Sequence, residues 1–399
     1  MALNILYTIT SYPPAIGGAQ LHTHQIARRL AERHAVRVIT LWDKNRTDWL
    51  RGTTLNAPVK PKSYTIDDVP VERITLTSAD RRAIRPWVFS YYVFKPAAIR
   101  RISDRFVPKI NLLAGKATLI HNARIGREPL SYASLQVARR RNIPFVFTPY
   151  HHPRWVGWNY RDYIKLYRQA DALIALTKTE RQTLIELGAR PERVFVTGNG
   201  PNLADASYPA VFRHQLNLPV NVPLVLFLGQ KYRYKGFQHL AQAAPLVWQK
   251  HPETRFLFIG PRTRFSKNFF AKFQDTRFIE LDAVDLQHKT DALAACTLLC
   301  LPSTQESFGG VFTEAWSFGK PVIGADIPAI REVIDDGNNG YVVIPTPAAL
   351  AERVCYLLDN PAKAAQLGAA GQQKTERQYS WKQLTQRTEQ VYTEVLHRL

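Results

Sequence analysis

One stretch, Leu301 to Val343 (LPSTQESFGGVFTEAWSFGKPVIGADIPAIREVIDDGNNGYVV), limits the folds open to this chain more than any other. An apolar run, Thr297 to Leu301, stops at Pro302-Ser303 as a buried strand would. Glu306, the pair Gly309-Gly310 and Glu314 follow, then helix-forming residues to Phe318, a stop at Gly319 and a new strand from Lys320 to Gly324. Strand, glycine loop and helix start leave free backbone N–H groups and the positive end of a helix dipole aimed past the strand end. A phosphate belongs there, with Glu306 in the loop and Glu314 about one turn into the helix.

The same βα alternation runs through the chain. Asn4–Thr10 reads as a strand, Gly17-Gly18 as a glycine loop, Ala19–Arg33 as a helix and Ala35–Leu41 as the next strand. Ile143–Thr148 is a strong strand running into Tyr150, His151 and His152, where paired histidines are well placed for a site. No third ligand stands in view, so the pair does not suggest a metal. A cluster at Gly198-Asn199-Gly200-Pro201-Asn202 marks a domain boundary, and the alternation restarts beyond Pro219. There the strand Leu224–Leu228 precedes QKYRYKG, where Lys235 can reach phosphates over a helix start. Gly337 to Gly340 reads as hairpin-like, and a final helix spans about Trp381 to Leu399.

Two consecutive α/β halves imply two doubly wound domains facing one another, with a site in the cleft between strand ends. The boundaries expected are 1–202, 203–378 and a C-terminal helix, 379–399, packing back towards the first domain.

Charge is unevenly spread. Residues 1–200 carry 32 Lys and Arg against 14 Asp and Glu, a net +18, and residues 201–399 carry 21 against 18, a net +3. The first half therefore suits an anionic surface or substrate. Residues 42 to 115 have no clean period and interleave Trp42, Trp49, Trp87, Tyr91, Tyr92 and Phe94 with arginines. Trp87, Tyr91, Phe94, Ala98 and Ile102 have helical spacing, with a break at Pro96. Two readings stay open for this region: an amphipathic element at an anionic membrane surface, or a solvated helix whose aromatics belong to the core. No apolar run approaches the ~20 residues that span a bilayer. Cys296, Cys300 and Cys355 have no ligand spacing and read as buried hydrophobes in a reducing cytoplasm.

The pattern PS-x-x-ESFGG-x-x-x-EA-x-x-x-GKPVI, continuing to IREVI-x-DG-x-NGY, resembles the family 4 retaining glycosyltransferases of the GT-B fold. Gly17–Ala19, Ile143–Pro149, Ala170–Thr177 and Gly198–Asn202 resemble further elements of that family, in order. The resemblance implies two Rossmann-like domains, an acceptor side and a donor side, and transfer of a hexosyl unit from a nucleotide-diphosphate sugar used as co-substrate. It implies no cofactor, no metal (no D-x-D motif stands at a matching position) and no nucleic acid. By it, Glu314 would bind ribose hydroxyls, Glu306 would act at the donor sugar, and Lys235 would neutralise the leaving diphosphate. The loop Ser307, Phe308, Gly309, Gly310 and Val311 would hold donor oxygens, and Gly17 and Gly18 would bring the first-domain backbone close to it. Gln230 stands where the family has an arginine, with Arg233 as a substitute cation, and His151, His152 or Tyr150 would fill the first-domain site role. The implied acceptor is a lipid-linked or cell-surface glycan precursor, and the implied setting is cytoplasmic, with peripheral attachment at the inner face of the membrane. A nucleotide-sugar epimerase, or a non-catalytic binder of anionic lipid, is the competing reading.

Overall fold

The computed structural model describes residues 2–15, 17–43, 50–124, 126–151 and 157–398. The chain divides into two compact units, Met1–Gly198 with Trp381–Leu399, and Asn199–Ser380.

The first unit contains β1 (Asn4–Ser11), β2 (Ala35–Trp42), β3 (Lys62–Ile66), β4 (Val69–Arg73), β5 (Leu119–Ala123), β6 (Phe145–Thr148), β7 (Ala172–Ala175) and β8 (Val194–Val196). Their order is β3-β4-β2-β1-β5-β6-β7-β8, and every neighbouring pair is parallel except the antiparallel pair β3–β4. The strands β1, β5, β6 and β7 are buried on both faces, as expected where helices cover both faces of such a sheet. Sheet order reverses between β1 and β5, so the loops after these two strands flank a natural ligand crevice.

The second unit contains β9 (Leu224–Leu228), β10 (Arg255–Ile259), β11 (Phe278–Leu281), β12 (Leu298–Leu301), β13 (Val322–Ala325) and β14 (Tyr341–Val343). All are parallel, in the order β11-β10-β9-β12-β13-β14. The reversal here falls between β9 and β12. Cys296 and Cys300 are fully buried free thiols, and burial pushes the Cys296 thiol up to about 12.

One expectation needs correction, and residues 42 to 115 hold elements that their pattern does not announce. Among the described residues of 42 to 115 the structure has a β3–β4 hairpin, a one-turn helix, Leu50–Thr53, and two longer helices, Ser78–Phe89 and Lys95–Ala114. The hairpin turns at Asp67-Asp68, both with positive φ (45° and 60°), a job usually signalled by Asn-Gly or Asp-Gly. The spacing of Trp87, Tyr91, Phe94, Ala98 and Ile102 is interrupted where Pro96 implies a break: a new helix starts at Lys95 with Pro96 in its first turn, Tyr91, Ala98 and Ile102 are buried and Phe94 is exposed. Lastly, Gly337 to Gly340 is not a hairpin. Gly337 donates its N–H to Gly340 O at 2.9 Å, Asn339 is buried against Asp335, and the chain then enters β14 parallel to β13.

The helix Trp381–His397 belongs to the first unit, where Leu384, Val391, Tyr392 and Val395 join the core beside β1 and β5. Tyr392 Oη is hydrogen-bonded to Tyr7 Oη and to His121 Nδ1, each at 2.6 Å. His34 Nε2 meets Glu389 at 2.9 Å on the same helix.

Candidate active site

β9 and β12 are hydrogen-bonded neighbours, so the loops that leave their carboxyl ends start side by side. After β9 the chain makes a single 3-10 turn, Arg233–Lys235, and reverses at Gly236 (φ +76°) into the helix Phe237–Trp248. Any side chain at Gly236 would fall on the carbonyl of Pro302, so the two loops touch backbone to backbone. Tyr234 O accepts from Thr304 N at 2.9 Å and from Thr304 Oγ1 at 3.2 Å, which pins the turn to the residues after β12. The consequence is a contact across 71 residues of chain: Lys235 Nζ lies 2.5 Å from Glu306 Oε1.

Beyond Glu306, Phe308 is buried with its ring edge-on to Tyr379, and Gly309 adopts φ +77° at the start of the helix Gly310–Trp316. A Cβ at Gly309 would come within 2.6 Å of the Phe312 ring. Ser307 and Val311 are half-buried on either side of this turn. Glu314 lies in the helix, as its spacing predicts, and its Oε1 accepts from Lys289 Nζ at 2.7 Å and from Asn202 N at 3.3 Å. Its Oε2 is buried and has no hydrogen-bond partner among the described residues.

Gln230 is exposed, and Arg233 is exposed with its guanidinium 5.9 Å from the Phe265 ring. Lys231 is fully buried, bonded to Glu280 and to Leu281 O. Burial lowers its pKa, partly countered by Glu280. Burial opposes ionisation of Glu280, yet the hydrogen bonds from Arg262 and Lys231 hold it below the ordinary carboxylate value. Lys231 is thus committed within the protein.

In the first unit Gly18 opens the helix Gly18–Ala31, with open space where a side chain would be. Gly17 has extended backbone (φ 177°). Tyr150 has φ +44°, and its hydroxyl meets His22 Nδ1 at 2.8 Å and Thr23 Oγ1 at 3.1 Å, one turn into the helix after the glycine pair. Burial pushes His22 down to about 4, with the Gly198 backbone opposing. His151 is buried: its N–H donates to Glu180 Oε1 at 2.5 Å, and its Nδ1 meets Tyr167 Oη at 3.0 Å. His152 lies outside the described residues.

The structure therefore joins Lys235 to Glu306, and Glu314 to Lys289. It places Tyr150 with His22 beside Gly17-Gly18, and it holds His151 in a buried hydrogen-bonded seat. Sequence reasoning missed His22 and Lys289. A histidine four residues after Gly18 was a signal for the first; nothing local marks the second. Among the described residues no group of three or more His, Cys, Asp or Glu could hold a metal ion, and no helix is long and apolar enough to cross a membrane. A cavity of about 990 Å³ in the second unit lies among Arg213, Leu218, Cys296, Lys320 and Leu357, towards the amino ends of β9, β12 and β13, and neither Lys235, Glu306, Lys289 nor Glu314 lines it.

Residues 17–200 match the family described as Glycosyl transferase 4-like domain, and residues 210–374 the family described as Glycosyl transferases group 1. The D-inositol 3-phosphate glycosyltransferase of Thermobispora bispora is 32% identical over 246 residues, 58% of this chain and 57% of that protein. The alpha-maltose-1-phosphate synthase of Mycolicibacterium smegmatis is 27% identical over 249 residues, 57% of this chain and 64% of that protein. The chain thus spans less than two thirds of the length of these curated relatives. Among solved structures, Anabaena HepE in complex with UDP-glucose superposes with a TM-score of 0.74 at 20% identity over 100% of both chains, a likeness of fold.

Proposed function

The chain belongs to the group 1, family 4-type glycosyltransferases and has their GT-B fold of two parallel-sheet α/β domains, and from that premise we propose that it moves a hexosyl unit from a nucleotide-diphosphate sugar to an acceptor hydroxyl. The Lys235–Glu306 pair carries this reading. A carboxylate and an ammonium in contact at the switch point of a parallel sheet suit a reaction in which positive charge develops on a sugar while negative charge develops on a departing diphosphate.

The acceptor oxygen bonds to the anomeric carbon as the bond from that carbon to the diphosphate oxygen breaks. The acceptor proton passes to the departing diphosphate. Lys235 stabilises the diphosphate, Glu306 the oxocarbenium-like sugar, and the backbone from Ser307 to Val311 binds donor oxygens. The acceptor attacks on the face that the diphosphate leaves, so the anomeric configuration is retained without a protein nucleophile. No metal takes part in this scheme, Lys235 supplying the charge instead. HepE binds UDP-glucose, which makes a UDP-hexose the first donor to try.

The acceptor in this proposal is lipid-linked. Phe89, Val93 and Phe94 are 62%, 72% and 58% exposed at the elbow between two helices of the basic half. Arg82, Arg85, Arg100 and Arg101 are exposed on the same two helices, and Arg51 and Arg127 sit over the Phe89 and Tyr92 rings. Apolar side chains ringed by arginine suit an anionic bilayer surface.

The test is a thermal-shift panel of UDP-, GDP- and ADP-sugars, followed by transfer from the donor that binds, with the product's anomeric configuration read by NMR. An inverted product removes the front-face route. Conversion of the donor with no acceptor present supports an epimerase instead.

A further inference from the structure

Glu314 is held by a partner that no motif announces. Its Oε1 takes two donors, the Lys289 ammonium at 2.7 Å and the Asn202 N–H at 3.3 Å, while Lys289 Nζ also donates to Asn202 O at 2.5 Å. Carboxylate, ammonium and the backbone N–H and C=O of Asn202 close a ring, with the Lys289 and Glu314 side chains only 18% and 9% exposed. The platform behind Lys289 is rigid. Its helix, Leu286–Ala295, is capped by Asp285, and it is tied to the segment after Asn202 by Thr290 Oγ1 accepting from Ala204 N at 2.9 Å and Asp291 Oδ1 accepting from Tyr208 N at 2.6 Å.

The ring uses one oxygen of Glu314 only. Oε2 is buried without a donor among the described residues, a state that disfavours the empty site and favours a ligand bringing a hydroxyl. Lys289 also cancels the negative charge that Glu314 would otherwise bring to a site for an anionic diphosphate.

We propose that Lys289 is the positioning residue of the donor site: it locks Oε1 of Glu314, neutralises the carboxylate, and leaves Oε2 to receive a ribose hydroxyl of the nucleotide. The proposal rests on the donor reading above. Lys289 acts through Glu314 and does not touch the reacting atoms, so its removal weakens nucleotide binding and spares the chemical step.

The experiment is calorimetric titration of the full chain with UDP, GDP and ADP, continued with the tightest of the three. Lys289→Met is expected to weaken that nucleotide about tenfold or more and to raise the donor KM similarly, with kcat within about twofold. Lys289→Arg is expected to restore most of the affinity. In a Glu314→Gln background, Lys289→Met is expected to add almost nothing, the signature of two residues acting as one unit. Unchanged affinity in Lys289→Met overturns the proposal, as do effects of the two substitutions that multiply. If Lys289→Met does not fold, Lys289→Gln carries the same expectations and the same refutations. If none of the three nucleotides binds the wild-type chain, the donor reading itself is overturned and the role of Lys289 with it.

Discussion

Lys235 and Glu306 meet at 2.5 Å although 71 residues separate them, because one leaves β9 and the other leaves β12, the two strands where the sheet order reverses. Each charge is the other's neighbour in the free protein. A bound diphosphate and sugar would share them.

That pairing makes the two side chains non-additive in catalysis. Glu306→Gln and Lys235→Ala are each expected to lower kcat by about 100-fold to 1,000-fold. The double variant should lose little more than the worse single one. Single-turnover rates check this, and losses that multiply would mean the two groups work separately.

Gly236→Ala tests whether the backbone contact between the two loops sets that geometry. The left-handed φ alone costs about 1–2 kcal/mol for a non-glycine residue, and a Cβ would also strike Pro302 O. A lowered melting temperature is expected, together with a fall in kcat larger than the stability loss explains. Full activity in a folded Gly236→Ala protein would show that the loops need not touch.

Gln230 is exposed after β9, and its neighbour Lys231 is committed to Glu280. Gln230→Arg should add a free cation that diphosphate binding can use. Nucleoside diphosphates are expected to bind several-fold tighter, with a steeper dependence on salt. Equal affinity at low and high salt for both proteins would place Gln230 away from the phosphates.

The first unit should lose stability in mild acid. Burial holds His22 at about 4, and burial with the His22 charge nearby holds His121 at about 3, against 6.5 for an unburied histidine. The unfolded chain therefore binds more protons below pH 6.5, and stability is lost as pH falls from about 6.5 towards 4. At about 1.4 kcal/mol per pKa unit the two histidines together are worth several kcal/mol. Melting temperature should fall between pH 7 and pH 5, and the fall should shrink in His121→Asn. An identical fall in that variant would assign the effect to other groups.

Phe89→Ser with Phe94→Ser should abolish flotation with anionic vesicles while leaving nucleotide binding unchanged, because both side chains are exposed and outside the second unit. Neutral vesicles are expected to bind neither protein. Equal binding to neutral and anionic vesicles would sink the electrostatic part of the proposal.

Much of this was legible in the chain itself. The strand Leu224–Leu228 is legible to the residue, because a buried parallel strand reads as an apolar run and this one ends at Gly229. The β3–β4 hairpin was not, because its turn uses Asp67-Asp68 in place of glycine. Glu306, Glu314 and Lys235 announced themselves through the glycines and strand ends beside them. Lys289 did not, since nothing around it on the helix Leu286–Ala295 distinguishes it from a solvated lysine.

The sequence by itself determined the alternation of strands and helices, the two glycine turns and which glutamates flank one of them. These depend on backbone conformation and apolar period, both written in neighbouring residues. Only the tertiary structure decided the partners: Lys235 with Glu306, Lys289 with Glu314, His22 with Tyr150. Those contacts exist because strand order sets distant segments side by side, and strand order follows from how whole sheets and helices bury their apolar faces. A charge finds its partner after that burial is complete, so no local pattern records it.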